Sequence, residues 1–356
     1  MAAGEKVAVT RNAADPGMFQ SLRAYRGFRM LFLGTLATNS AFWMYQIAIG
    51  WLALELTDSP FWVGLTGFAG GIPLLLFALP SGVIIDRVDR RAVLMTAQVG
   101  IMLVAATFSI LVGTELIRTW SMLVLAFAYG TVMSFIFPTR NAIVPALVGR
   151  EDLANAVALN AAGQNSTRVV GPSLAGVLIA AVGVSWTFAV AAALQILALM
   201  WTARLPDEAS ERTARGGSLR SNLMVGVRVV GNDPFLVGLI LLATVSTVLV
   251  MPYINLMPVF ARDELGLGAT GLGVLMACTG LGSVAGALLV ARWRGLATIP
   301  GIQISSSLAF TVLVLVFALT PITVVAGLLL FLAGIVSAAY MAVNQTVLQL
   351  QVADEV

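Results

Sequence analysis

The chain has 356 residues, 59% hydrophobic and 10% charged, with mean hydropathy +0.95; soluble domains are about a quarter charged, so this much apolar surface requires lipid as its solvent. Histidine is absent and Cys278 is the single cysteine, which excludes histidine-based triads, His/Cys metal sites and intramolecular disulfides. The net charge of +3 comes from basic residues, all arginine except Lys6, scattered between apolar runs rather than gathered on one surface, so nucleic acid is not an expected partner.

Residues 1–29 carry Lys6, Arg11, Arg23, Arg26 and Arg29 without the apolar core of a cleaved signal peptide, and are expected to stay in the cytoplasm. A bilayer core needs about 20 apolar helical residues. Ten segments meet that length: 30–54, 61–85, 92–112, 120–139, 155–182, 185–203, 235–258, 271–291, 299–319 and 323–345. With the amino terminus inside, Arg87, Arg90 and Arg91 follow the second span, Arg140 and Arg150 the fourth, Arg204 to Arg228 the sixth, and Arg292 and Arg294 the eighth. The outer loops hold only Arg118 and Arg262, the asymmetry expected of a multi-pass protein with its arginines inside.

Residues 205–234 form the longest polar stretch and divide six spans from four. Within them 207–217 reads as a linker. Leu219, Leu223, Gly226, Val227 and Val230 then share one face of a short amphipathic helix, lying on the inner membrane surface or packed on protein. The expected organisation is therefore a bundle over 30–204, a cytoplasmic linker, and a second bundle over 235–356.

The two parts echo each other. Glu55-Leu56 and Gly64 recur as Glu264-Leu265 and Gly273; Ser134, Asn141, Val144, Leu147 and Glu151-Asp152 recur, at nearly the same offset, as Ser337, Asn344, Val347, Leu350 and Asp354-Glu355. Carriers are commonly built from such repeats. Since Glu151-Asp152 precedes spans five and six, Asp354-Glu355 is expected to precede two more spans, giving ten visible of twelve.

Between spans two and three stands Gly82-Val83-Ile84-Ile85-Asp86-Arg87-Val88-Asp89-Arg90-Arg91. Gly82 would permit close helix approach, Asp86 is a charge at the membrane edge that needs a partner, and the arginines anchor the turn inside. This pattern resembles the signature of the major facilitator superfamily. Asp89, where glycine is common, is similar to the exporter branch that contains enterobactin and macrolide efflux proteins. Gly50-Trp51-Leu52 running into Glu55-Leu56-Thr57-Asp58-Ser59-Pro60, and Gly226-Val227-Arg228 ahead of Asn232-Asp233-Pro234, match the same branch. In span five, Arg168-Val169-Val170-Gly171-Pro172-Ser173-Leu174-Ala175-Gly176 resembles the superfamily's antiporter motif, in which Gly171, Pro172 and Gly176 bend the helix and admit a neighbour.

The resemblance implies an all-α membrane protein of two pseudo-symmetric bundles with a substrate path between them, opened alternately to either side. Polar side chains at membrane depth are then the cavity candidates. Arg168 leads, because an arginine inside a span costs at least about 2.5 kcal/mol and must face partners or water; near the inner end of the span it could instead snorkel. Asn160, Gln164 and Asn165 precede it, Asn39 and Gln46 share a face of span one with Phe42 and Trp43, and Asn255 lies between Pro252 and Pro258, where span seven is expected to break. Such residues also glue helices together.

All acidic residues fall in loops, tails or span ends. Relatives often carry an Asp in span one, where Ala41-Phe42-Trp43 stands here, so a proton-coupling residue does not carry over. Glu55 and Asp86 remain as titrating groups. The expected function is export of a small organic molecule from a bacterial cell across its inner membrane, with protons as the candidate coupling ion; a facilitator or importer, and a non-transporting receptor or scaffold, are the alternatives. No cofactor, metal or enzymatic chemistry is expected, since the chain lacks clustered carboxylates within spans and a P-loop.

Overall fold

The computed structural model describes residues 19–206, 253–292 and 301–353. Described residues are almost wholly helical. After α1 (Gln20–Ala24) come α2 (Arg26–Thr57), α3 (Pro60–Leu76), α4 (Ala78–Arg87), α5 (Arg90–Gly113), α6 (Thr119–Leu147), α7 (Leu153–Val182) and α8 (Val184–Thr202). The second part holds α9 (Tyr253–Val259) with a π-helical turn (Phe260–Glu264), then α10 (Ala269–Arg292), α11 (Ile302–Ala318) and α12 (Thr323–Ala353). The expected linker helix and the acidic pair Asp354-Glu355 lie outside the described residues.

Six described helices, α5 to α8, α10 and α12, are long and apolar enough to cross a membrane, seven if α3 and Pro80–Arg87 form one bent span. That is fewer than the ten expected. Most of span seven lies outside the described residues, α11 has 17 residues, and the 32-residue α2 carries Thr35, Thr38, Asn39, Ser40 and Gln46 at its middle. Span two bends by 53° between α3 and the end of α4; Pro73 inside α3 and Pro80 in α4 each remove a helix donor.

The first half is built around α2, packed by α3, α6, α7 and α8. At its centre Tyr45 stacks on Tyr129 at 3.6 Å, Phe108 stacks on Phe188 at 4.7 Å, and all four rings are buried, tying α2, α5, α6 and α8 together. The outer surface carries Leu103, Ile110, Val124, Leu197, Leu288 and Val324 exposed, the apolar coat that lipid-facing helices require.

Two sequence boundaries are corrected. Arg26 and Arg29 are helical, because α2 begins four residues before the expected span. Arg140, expected in an inner loop, lies within α6 and is 3% exposed. The apolar run Ile143–Leu147 continues the helix through it, and its head group bonds to α2 instead of water. Of the two prolines between which span seven is expected to break, Pro252 lies outside the described residues, and α9 runs through Asn255 and Pro258 into the π-helical turn.

Candidate functional site

At the end of the molecule that carries the arginine motif, Asp89 caps α5: its Oδ1 accepts from the backbone N–H of Arg91 at 2.8 Å and of Ala92 at 3.2 Å. The residue that departs from the superfamily's glycine thus supplies an N-cap, worth about 1 kcal/mol. Arg90, buried, donates to the Ala142 carbonyl of α6 at 2.9 Å, and Arg91 donates to the Ala203 carbonyl beyond α8. The turn therefore pins α5 to its own bundle.

Asp86 and Arg87 stand exposed at the end of α4, and Asp86 makes no ion pair among the described residues. Nor does any described atom come within 4 Å of a Cβ built at Gly82. Among the described residues neither the partner expected for Asp86 nor the close approach expected at Gly82 is present, although α4 itself packs against α6.

The other motif glycines meet their neighbours. A Cβ on Gly171 would stand 2.6 Å from the Trp43 Cβ, and one on Gly176 would stand 2.3 Å from the Cα of Gly273 in α10. At Gly176, then, the two halves touch backbone to backbone, with Pro172 one turn away inside α7.

At the same end, opposite the arginine turn, α2 and α9 close together. Gly50 faces Pro258 and Gly67 faces the Asn255 amide. Arg262 completes the contact: Nη1 donates to the Leu54 carbonyl at 3.3 Å, Nη2 pairs with Asp58, and Nε pairs with Asp263 at 2.7 Å. The hydrogen bond to Asp263, with a smaller part from Asp58, holds the guanidinium above its ordinary pKa.

Between these ends lie three hollows, two of them lined from both halves. A cavity of about 140 Å³ is lined by Phe42, Tyr45 and Gln46 of α2, Thr66 of α3, Tyr129 of α6 and Asn255 of α9. A second, of about 30 Å³, lies where Arg168 of α7 meets Trp43, Tyr253 and α10. The Arg168 guanidinium carbon sits 5.1 Å from the Trp43 ring centroid, a cation–π distance. Towards the arginine end, a cleft of about 360 Å³ between α6 and α7 is lined by Asn141, Asn160 and Gln164.

The sequence-derived candidates therefore separate. Gln46 and Asn255 come together across the halves, Asn160 and Gln164 share the larger cleft, and Arg168 stands apart at the middle of α7 rather than snorkelling. Asn39 lines none of these cavities; it is 3% exposed, packed inside the first bundle. Asn165 lies on α7, with its side chain outside the described residues. Sequence reasoning missed Tyr45, Tyr129, Tyr253, Thr279 and Ser283 as lining residues; aromatic and hydroxyl side chains inside apolar runs carry no periodic signal that separates cavity from core.

Known proteins resemble this chain in both sequence and shape. The enterobactin exporter EntS of Shigella boydii serotype 18 is 27% identical over 332 residues, 93% of this chain and 79% of that protein. The bacterial homolog of the human lysosomal transporter Spinster, in an inward-facing unoccupied conformation, superposes with TM-score 0.68 at 17% identity, covering 90% of this chain and 75% of that one. The nucleoside transporter NupG gives TM-score 0.67 at 13% identity, over 93% and 83%. At those identities the two structures establish the major facilitator fold. The family described as transmembrane secretion effector matches residues 18–356, so the chain belongs to that family, an exporter branch of the major facilitator superfamily, and is a membrane transporter.

Proposed function

We propose that the protein exports a small organic molecule across the inner membrane of a bacterial cell by alternating access, with its amino terminus and the Arg87–Arg91 turn in the cytoplasm. The bundles 30–204 and 235–356, joined by the cytoplasmic linker 205–234, form the two pseudo-symmetric halves of a ten-span arrangement. One observation carries the reading: the halves are sealed at Gly176–Gly273 and Arg262–Asp58, while the cleft at Asn160 and Gln164 lies towards the opposite end. We read that seal as the outer gate of a carrier closed outside, with the first bundle's α6–α7 cleft at its cytoplasmic mouth.

In this arrangement Gln46, Asn255, Asn160 and Gln164 line the substrate path, Gly171 seats α7 against α2, Gly176 with Pro172 lets the halves pack and part, and Arg90 and Arg91 keep the inner end rigid. The resemblance to an enterobactin exporter supports a siderophore- or drug-like cargo. Protons are the proposed coupling ion, exchanged at Glu55 or Asp86. Glu55 is exposed near the end of α2 and accepts from Trp51 Nε1 at 2.6 Å.

A facilitator on the same fold is the second reading. It is favoured because every described acid stands at or near a helix end, whereas antiport commonly uses a carboxylate in mid-membrane. Everted vesicles holding the full-length protein decide between them. They should accumulate an amphiphilic fluorescent substrate against its gradient and lose it when a protonophore is added. Accumulation unchanged by the protonophore contradicts proton antiport, and simple equilibration contradicts active export.

A further inference from the structure

We propose that the hollow beneath the Arg262 contact is a ring-sized, charge-free subsite, in which Tyr45, Tyr129, Gln46 and Asn255 hold an uncharged ring bearing carbonyl or hydroxyl groups. The inference rests on the transport reading above and names the class of its cargo.

Size comes first. The hollow measures about 140 Å³, and a cavity of about 150 Å³ accepts one benzene ring. Its α3 wall is made by Gly67, Gly70 and Gly71, whose bare backbone leaves a flat surface, and aromatic rings of Phe42, Tyr45 and Tyr129 line the rest. A Cβ built at Gly71 meets no described atom within 4 Å. That glycine therefore leaves open the space that a larger side chain would fill.

Charge comes second. None of the described lining residues is charged, and the second-half spans 235–258, 271–291, 299–319 and 323–345 contain no Asp, Glu, Lys or Arg. An ion entering this hollow would lose its hydration and meet no counter-charge, a large cost at low dielectric. What the walls do offer is neutral and two-sided. Gln46 and Asn255 are amides, each able to donate and accept, and Thr66 spends its proton on the Trp62 carbonyl at 2.7 Å and keeps an oxygen to accept with.

The tyrosines supply an independent sign of a ligand. Their rings stack at 3.6 Å, and their hydroxyl oxygens are buried without a hydrogen-bond partner among the described residues. Phenylalanine would stack as well and strand no polar group, so two such hydroxyls are a cost to the empty protein. Both oxygens are sealed in the present packing; a bound ring meets them as the tyrosine edges yield, and its own oxygen is the acceptor that the protein lacks.

Position gives the subsite its place in the cycle. Gly50 and Gly67 line the hollow and also face Pro258 and the Asn255 amide, where α9 closes on the first bundle. Asn255 is the lining amide from the second half, so parting of the halves at this end removes one of the ring's contacts. The subsite then binds more weakly when open than when closed, which favours release on that side.

The test uses four single-ring probes: 4-fluorobenzamide, 4-fluorobenzoate, 4-fluorobenzylammonium and 4-fluorotoluene. Binding to the full-length protein in nanodiscs is read by fluorine NMR relaxation, with empty nanodiscs subtracted. The amide should bind the wild type about tenfold tighter than either charged probe, and Gly71→Leu should abolish its binding. Tyr45→Phe combined with Tyr129→Phe should weaken the amide about tenfold, leave the toluene within about twofold, and unfold at no lower temperature than the wild type. Buried hydroxyls that served packing alone would leave amide binding unmoved. Amide binding unchanged in the double Phe variant or in Gly71→Leu overturns the proposal, as does a charged probe that binds as tightly as the amide, or failure of all four to bind. The wild-type series and Gly71→Leu decide the matter even where the double variant fails to fold. Accumulation of cargo in vesicles is read separately. A protein that binds the amide but moves nothing refutes the transport reading and leaves the subsite, whereas accumulation undiminished in Gly71→Leu refutes the subsite alone.

Discussion

Gly176→Val should reduce export at least about fivefold while leaving the protein folded. A Cβ at this position would lie 2.3 Å from the Gly273 Cα, 2.6 Å from its nitrogen and 3.1 Å from the Ala269 carbonyl oxygen. All three are backbone atoms, so no rotamer change relieves the contact, and α7 and α10 must move apart. Overpacking of this kind costs about 1–3 kcal/mol, which shifts a two-state equilibrium by roughly fivefold to more than a hundredfold. Only the conformation closed at the Arg262 end bears that penalty. The carrier should therefore rest open at that end, and efflux from cells should fall by at least about fivefold. Export retained at the wild-type rate would mean that the Gly176–Gly273 contact is not part of the working cycle. Arg262 and Asp58 are too exposed to have a comparable effect, since Asp58 is 86% exposed and surface pairs contribute about 0.2–1 kcal/mol.

Arg140→Ala should destabilise the first bundle by about 2–4 kcal/mol, and Arg140→Met should leave its stability within about 1 kcal/mol of the wild type. Arg140 Nη2 donates to the Gly34 carbonyl at 3.1 Å and to the Thr38 hydroxyl, which in turn donates to Gln195 Oε1 at 3.2 Å. One side chain thereby ties α6 to α2 and α8. Its Nε and Nη1 have no hydrogen-bond partner, and no acid pairs with it, among the described residues. Removing the charge orphans no carboxylate, so packing volume dominates: alanine leaves a cavity, whereas methionine fills the same channel without a desolvated cation. Thermal unfolding in detergent reads the difference. A methionine variant as unstable as the alanine variant would show that the guanidinium's hydrogen bonds, not its volume, hold the joint.

Family and helical class were legible because they depend on composition and on local signals. Uninterrupted apolar runs and the Gly82–Arg91 pattern require no knowledge of which helices touch. Gly176 was also legible: a small residue following Gly-Pro in a membrane helix marks a close approach, and Gly273 answers it across the halves. Less was legible wherever a tertiary partner decides the outcome. Arg140 reads as a loop residue until Gly34 and Thr38 are seen to accept from it. Asp89 carried a readable signal, an aspartate just before a helix, but its place in a motif drew attention to the departure from glycine rather than to the cap. Asn39 and Gln46 lie seven residues apart on one face, yet only Gln46 lines a cavity, because the bundle closes over Asn39. Trp43 was noted for sharing that face, but nothing in the sequence pairs it with Arg168.

The most direct test of two halves enclosing a route that opens to each side in turn is the labelling of Gln46→Cys in a Cys278→Ala background with a membrane-impermeant maleimide. Applied to everted vesicles, the reagent should modify the cavity thiol at rest. Applied to intact cells, it should do so when substrate is supplied. A thiol that reacts from one side only, whether or not substrate is present, would contradict alternating access.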